Sequence, residues 1–369
     1  MKRLIRSPLL WTFVTAVVLL IAVGGWLLSD PATSRSDALK TGGLAAGAVV
    51  ALYALWLNDR RRRVEERRQE TERQRQELES QRTDFDRERI SDERFAKAIE
   101  LLGHDADQVR VGALHALAGL ARGREAYTQT VLDILCSYLR RPFTHPRYKD
   151  TAKRQGNTHP QEGSAEQDRE LQVRQTAQRL IGELLPAADS EDTTGYDLDL
   201  TGAVLEYFDL SDRKIGKLLL RYAGLYSSTN LSGCVFLGPV YLTGAGTIEK
   251  KLIGYFRCTG AKFERRAWFS GVRFAEDADL HGTVFAGETS FKDSFFAKDA
   301  DFAETEFEDS LDLRRARFEG SSDLRFRKLP DRVDLYNTTV EPAKENELPA
   351  GWVAETMPDG RARLKVSRT

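Results

Sequence analysis

Cysteine is scarce in this 369-residue chain: Cys136, Cys234 and Cys258 are odd in number and share no CxxC spacing. That excludes a disulfide framework and a cysteine zinc site, and it suits a reducing compartment. Net charge is also lacking. Fifty-five Lys and Arg against 56 Asp and Glu leave −1, no overall pull toward nucleic acid. Catalytic signatures are missing as well, with no Walker loop, no GxSxG and no HExxH. His145 and His159 each precede a proline but have no third ligand nearby, while His115 and Cys136 sit in apolar helical patterns and read as core residues. No catalytic, cofactor-binding or metal-ligating residue is therefore assigned, and the chain is read as non-enzymatic, without a cofactor.

Two long blocks that are both uncharged and predominantly apolar stand at the N-terminus. Residues 8–28, PLLWTFVTAVVLLIAVGGWLL, are 21 positions without a charge, with Trp11 and Trp26 near the ends. That is enough to cross a hydrocarbon core of about 30 Å, with aromatics at the interfaces. A secretory signal has similar flanks but a shorter apolar region and a small-residue cleavage site. A second, shorter block follows at 42–57, GGLAAGAVVALYALWL. Lys2, Arg3, Arg6 and Arg60 to Arg63 flank the pair, against Arg35 and Lys40 in the connecting loop. The positive-inside rule then makes residues 1–57 a transmembrane hairpin of a multi-pass cell-membrane protein, with both termini cytoplasmic. Gly43 and Gly47 would allow close helix approach, and with it a homo-oligomer.

Residues 58–91 hold no glycine or proline and are dense in glutamate and arginine, a pattern that predicts a charged spacer helix standing in water. Val64, Leu78 and Phe85 share a heptad grid, the mark of a coiled coil, but the complementary positions are arginine, which argues against a stable one and for a solvated spacer helix. Residues 92–141 form a small all-α block. Ser91 is placed as a cap, Phe95, Ile99 and Leu102 share one face, and two further helices end near Leu120 and Leu139. Three such helices resemble one armadillo or HEAT unit, too few for a solenoid. Residues 142–168 contain almost no apolar side chain and read as a flexible linker. Helix returns at 169–185, with Leu171, Ala177, Leu180, Ile181 and Leu184 on one side.

Internal repetition then dominates. Steps alternating between five and six residues connect Phe263, Phe269, Phe274, Leu280, Phe285, Phe291, Phe296, Phe302, Phe307, Leu313 and Phe318, and continue through Leu324, Leu329, Leu335 and Val340. Upstream the step is a plain five, through Leu200, Leu205, Leu210, Ile215, Leu220 and Leu225. Between Leu231 and Cys258 the register blurs, most of all in GTIEKKLIG. Neither a helix nor a half-buried strand has this period. Two positions before the large residue stands a small one, as at Ala261, Ala267, Ala278, Ala300, Thr305 and Ala316.

ADL at 278–280, ADF at 300–302 and ARF at 316–318 resemble the pentapeptide-repeat family, whose units read A(D/N)LXX around a central leucine or phenylalanine. The resemblance covers about 196–340 and implies a right-handed quadrilateral β-helix, an all-β solenoid with four faces per coil. The N-terminal part is similar to membrane-anchored bacterial members. On that fold the phenylalanines stack in columns about 4.8 Å apart, and the 22-residue coil places its extra residues in bulged corners on two opposite edges. The 169–185 helix would cover the first coil, and residues 341–369, a predicted β-hairpin, the last.

Asp279, Asp301 and Asp323 are 22 apart, each just before an inward residue, and are expected to form one outward row with Asp277 and Asp299 alongside. Repeat chemistry accounts for them, and a docking strip for a basic partner is the sharper reading. By the same spacing Phe295 falls between Arg273 and Arg317. The function expected is a non-catalytic, membrane-anchored cytoplasmic scaffold that presents its β-helix to an unknown protein partner, with no nucleic acid involved. The alternative is a DNA-mimicking, topoisomerase-protecting protein. Mimicry needs a strongly negative rod, whereas residues 196–340 carry 23 acidic and 20 basic side chains, a net −3.

Overall fold

A computed structural model describes residues 8–28, 35–148, 164–246, 253–358 and 360–367, with some side chains of the first two helices excluded. The inter-block loop at 29–34, most of the expected linker (149–163) and the core of GTIEKKLIG (247–252) lie outside the described residues. The chain divides into two compact units, 1–90 and 91–369.

The first unit is helical. Helix α1 spans Pro8–Leu28, and α2 runs without a break over Arg35–Leu102, 68 residues. Ser91 therefore lies inside a helix and not at the start of one, because the glutamate- and arginine-rich stretch on its N-terminal side never leaves helical geometry. For the same reason the second apolar block is one part of α2 and no separate helix. Among the described residues no helix is long and apolar enough to cross a membrane, so the two-span expectation gains no support here.

In the second unit the end of α2 packs with α3 (Asp107–Gly123), α4 (Thr128–Arg140) and α5 (Ala165–Leu184). Phe95, Ala98 and Leu102 face this core while Ile99 is exposed, because the stripe follows three- and four-residue steps from Phe95. Cys136 is buried, but His115 is exposed, one step off the face carrying Ala113, Leu114, Leu117 and Ala118. Helix α5 starts four residues before the expected position because Ser164 and Gln167 close a capping box, each side chain bonding the other's backbone N–H. It completes the helical core and also lies on the first coil.

The flexible-linker expectation fails at its N-terminal end. His145 is buried, its Nε2 lies 2.9 Å from Asp168 Oδ1, and its Nδ1 accepts from the Arg147 N–H. Tyr148 stacks on Tyr226 with ring centroids 4.1 Å apart, and Arg147 pairs with the buried Glu206 at 3.0 Å. Aromatic stacking and buried ion pairing hold this segment where aliphatic content alone predicts nothing.

From Leu198 the chain winds into a β-solenoid of about seven turns, built from four sheets whose solenoid strands pair in parallel. Four inward columns fill it. One runs Leu200, Leu220, Leu242, Phe269, Phe291, Leu313, Leu335; the next Leu205, Leu225, Ile253, Phe274, Phe296, Phe318, Val340. The third runs Leu210, Leu231, Cys258, Leu280, Phe302, Leu324, and the fourth Ile215, Phe236, Phe263, Phe285, Phe307. Rings stack face to face along columns, at 4.6 to 5.1 Å from Phe236 through Phe307 and at 4.7 Å for Phe269 on Phe291. Edge-to-face contacts join neighbouring columns, for example Phe296 with Phe302 at 5.9 Å. Cys258 and Ile253 keep the columns continuous through the stretch where the sequence register blurs.

Two expectations about the winding need correction. Leu329 is exposed, and Phe326 closes the fourth column instead, 5.0 Å edge-on from Phe307. The corners also carry no bulge in the 22-residue coils. Phe274 pairs in register with Phe296, and Phe296 with Phe318. A bulge requires neighbouring strands of unequal count, and here every coil holds the same extra residues. The register shift falls between Glu206 and Phe208, where a five-residue step (Leu205 to Leu210) lies beside a six-residue one (Leu225 to Leu231).

The five-residue corners turn through a left-handed residue two positions after the inward one: Gly271, Gly282, Asp293, Glu304, Arg315 and Asn337, with φ of 56 to 69°. Buried hydroxyls support these corners, donating to the carbonyl of the inward residue one coil back. Thr283 reaches Cys258 at 2.8 Å, Ser294 reaches Phe269 at 2.7 Å and Thr305 reaches Leu280 at 3.1 Å. At the far end, Trp352–Thr356 and Ala362–Val366 form an antiparallel hairpin whose second strand pairs with Thr339–Val340. Trp352 lies 5.7 Å from Phe326.

Candidate interaction surface

Once the columns take the interior, chemistry is left to the residues just before each inward position. On the Leu280 face these are Asp209, Asn230, Arg257, Asp279, Asp301, Asp323 and Glu347, paired strand to strand. Asp279, Asp301 and Asp323 thus stand directly opposite one another, with Asp299 beside them accepting from the Ser321 N–H. Glu347 extends the row 24 residues after Asp323, so counting by 22 overlooks it. Arg257 bounds it on the other side.

Each of these aspartates also has a local task. One oxygen accepts the backbone N–H two residues on: His281 for Asp279, Ala303 for Asp301 and Arg325 for Asp323, at 2.8 to 3.1 Å. Asp199, Asp312 and Asp334 do the same on the opposite face. The aspartate is therefore a turn device of the repeat, on this face as on the opposite one, where Arg314 holds the second oxygen of Asp312. Arg325 also grips Asp323 through its guanidinium, and those hydrogen bonds, opposed by partial desolvation, hold the carboxyl below its usual range. His281 Nδ1 lies 3.6 Å from Asp301.

Two other faces carry aromatics outside the solenoid. Phe295 is half-buried, with Arg273 4.4 Å above its ring and Arg317 at 5.7 Å on the far side. Tyr241 and Trp268 meet edge to face at 5.5 Å, under Arg221 and Arg266 respectively. Such stacking covers outward rings without a partner molecule. Phe263, Phe269, Phe274, Leu280, Phe285, Phe291, Phe296, Phe302, Phe307, Leu313 and Phe318 are all buried in the columns, so none is available for chemistry.

The buried cysteines offer no reactive thiolate. Burial pushes the Cys136 and Cys234 thiols up to about 12 and raises Cys258 well above its ordinary value. Among the described residues no group of histidine, cysteine, aspartate and glutamate is placed to hold a metal.

Residues 280–326 match the family described as Pentapeptide repeats (9 copies). The matched span lies inside the solenoid and includes Asp301 and Asp323. No curated protein and no solved structure matches the chain. The family match and the four-sheeted winding together point to a protein-interaction module.

Proposed function

We propose that the protein is a non-catalytic scaffold, anchored in the cell membrane by its N-terminal helices, whose solenoid docks a basic partner protein along Asp279, Asp301 and Asp323. The observation that carries the docking is the in-register stacking of the three carboxylates, each spending one oxygen on its own turn, with Asp323 also paired to Arg325 of its own coil, which a basic partner would have to displace or bind beside. Like charges directly opposite each other destabilise a sheet, and a bound cationic surface would relieve that repulsion. The anchor is supported by the uncharged run at 8–28 and by exposed Trp11, Ile21, Trp26, Leu44, Leu52 and Leu55. Apolar surface on that scale calls for a cover, and a cytoplasmic solenoid follows from the basic flanks.

The test is the triple variant Asp279→Asn, Asp301→Asn, Asp323→Asn in the full chain. Asparagine keeps an oxygen for the turn, so thermal stability should hold or rise slightly. Capture of the partner that wild-type protein retains from membranes should weaken at least tenfold and lose its salt dependence. Undiminished capture leaves the aspartates with their turn role alone.

A further inference from the structure

Every described side chain from Glu72 to Ile90 of α2 is exposed, including Leu78 and Phe85 at 57% and 69%. Seven residues apart, those two fall on the same helical face. An apolar stripe left uncovered on a helix invites a partner, and the charges beside it say which.

With Leu78 and Phe85 as heptad position a, the sequence places Thr71 and Val64 at the same position, one and two heptads earlier. Position e is then Arg68, Arg75, Arg82 and Arg89. Position g is Glu70, Glu77 and Asp84. A stripe flanked by arginine on one side and carboxylate on the other is complementary to itself in one orientation. Parallel helices set each g residue against the e residue five later in the partner, matching Glu70 with Arg75, Glu77 with Arg82 and Asp84 with Arg89. Antiparallel helices would set arginine against arginine and carboxylate against carboxylate.

We propose that α2 pairs with α2 of a second copy of this chain as a parallel, in-register, two-stranded coiled coil over residues 64–91. Position d carries Arg67, Gln74, Gln81 and Glu88, so the apolar seam is half of a full one and pairing is weak and dependent on concentration. The in-register alignment matches every g–e pair, where a slip by one heptad loses one, and the d layers, which set Arg67 and Glu88 each against its own copy, weaken the pairing further. Asp84 also contacts Arg87 of its own helix at 3.7 Å, an exposed pair of little energetic weight that can exchange for the one between helices.

The experiment is oxidative cross-linking of the full-length chain carrying Leu78→Cys. The native cysteines are buried and do not compete. Parallel pairing in register brings the two introduced thiols together, and the disulfide-linked dimer should exceed that of Glu79→Cys, one position around the helix, at least tenfold. Adding Glu70→Arg and Glu77→Arg should lower the Leu78→Cys dimer about tenfold, and further adding Arg75→Glu and Arg82→Glu should restore it. Equal cross-linking at 78 and 79, monomer alone, or no rescue by the double swap would overturn the proposal. A native mass above that of two chains would overturn the two-stranded form.

Discussion

Phe296 is wholly buried, its ring 4.8 Å from Phe274 and 4.6 Å from Phe318, whereas Phe295 stands outside the ladder between two guanidinium groups. The contrast is a consequence of period. In a strand successive side chains take opposite faces, and a column position leaves its neighbour no choice. Phe296→Ala is expected to cost about 3–5 kcal/mol, the range for a large ring removed from a packed core. Phe295→Ala should cost about 1 kcal/mol, the order of an exposed cation–π contact. Chemical denaturation of the two variants measures both, and equal losses would show that the inward register is misplaced. The row of aspartates obeys the same geometry, since each stands one position before an inward residue and is turned out by it.

Elements behave less predictably than residues, because their limits depend on what they meet. Helix α5 gains its first turn from a capping box and finds two surfaces to cover. Buried Arg174, at 1% exposure, donates to carbonyls of Leu139 and Arg141 where α4 ends and lies 4.8 Å over Phe143. That joins two helices separated in sequence by the whole polar segment. At the other end the hairpin gives Thr339–Val340 a strand partner and buries Trp352 and Leu364. Truncation after Ala350 should therefore expose an unpaired parallel edge and the ring of Phe326, inviting edge-to-edge association. Light scattering during a thermal ramp is expected to show aggregation beginning at least 5 °C lower than for the full chain, by the usual scaling of a few kcal/mol to melting temperature. An unchanged onset would mean that the last coil closes without the hairpin.

At the scale of the whole molecule, the two units differ in how they satisfy their surfaces. The solenoid unit buries its apolar columns within itself, while the first unit leaves tryptophan, leucine and phenylalanine exposed along α1 and α2. If bilayer and second copy are the covers, topology follows. A cytoplasm-dependent reporter fused after Thr369 should be active, and one inserted near Ser34 active only if it reads the external side. An external C-terminus would remove the hairpin topology, and with it the cytoplasmic scaffold.

What the sequence determined by itself is whatever repeats. An inward residue every five or six positions specifies a stacked coil. The 22-residue sum specifies which side chains share a column, so Phe274, Phe296 and Phe318 could be placed in one column by arithmetic. The row of aspartates was legible for the same reason, as far as Asp323. Tertiary structure decided everything that does not repeat: the replacement of Leu329 by Phe326, the docking of His145 and Tyr148 in an apparent linker, and the addition of Glu347 to the acidic row. The physical reason is range. A periodic pattern restates the same local free energy in every coil and so survives inspection of the chain alone. A cap, a linker or a last turn is held by single contacts between residues far apart in sequence, such as Tyr148 on Tyr226 or Trp352 on Phe326, which no local pattern records.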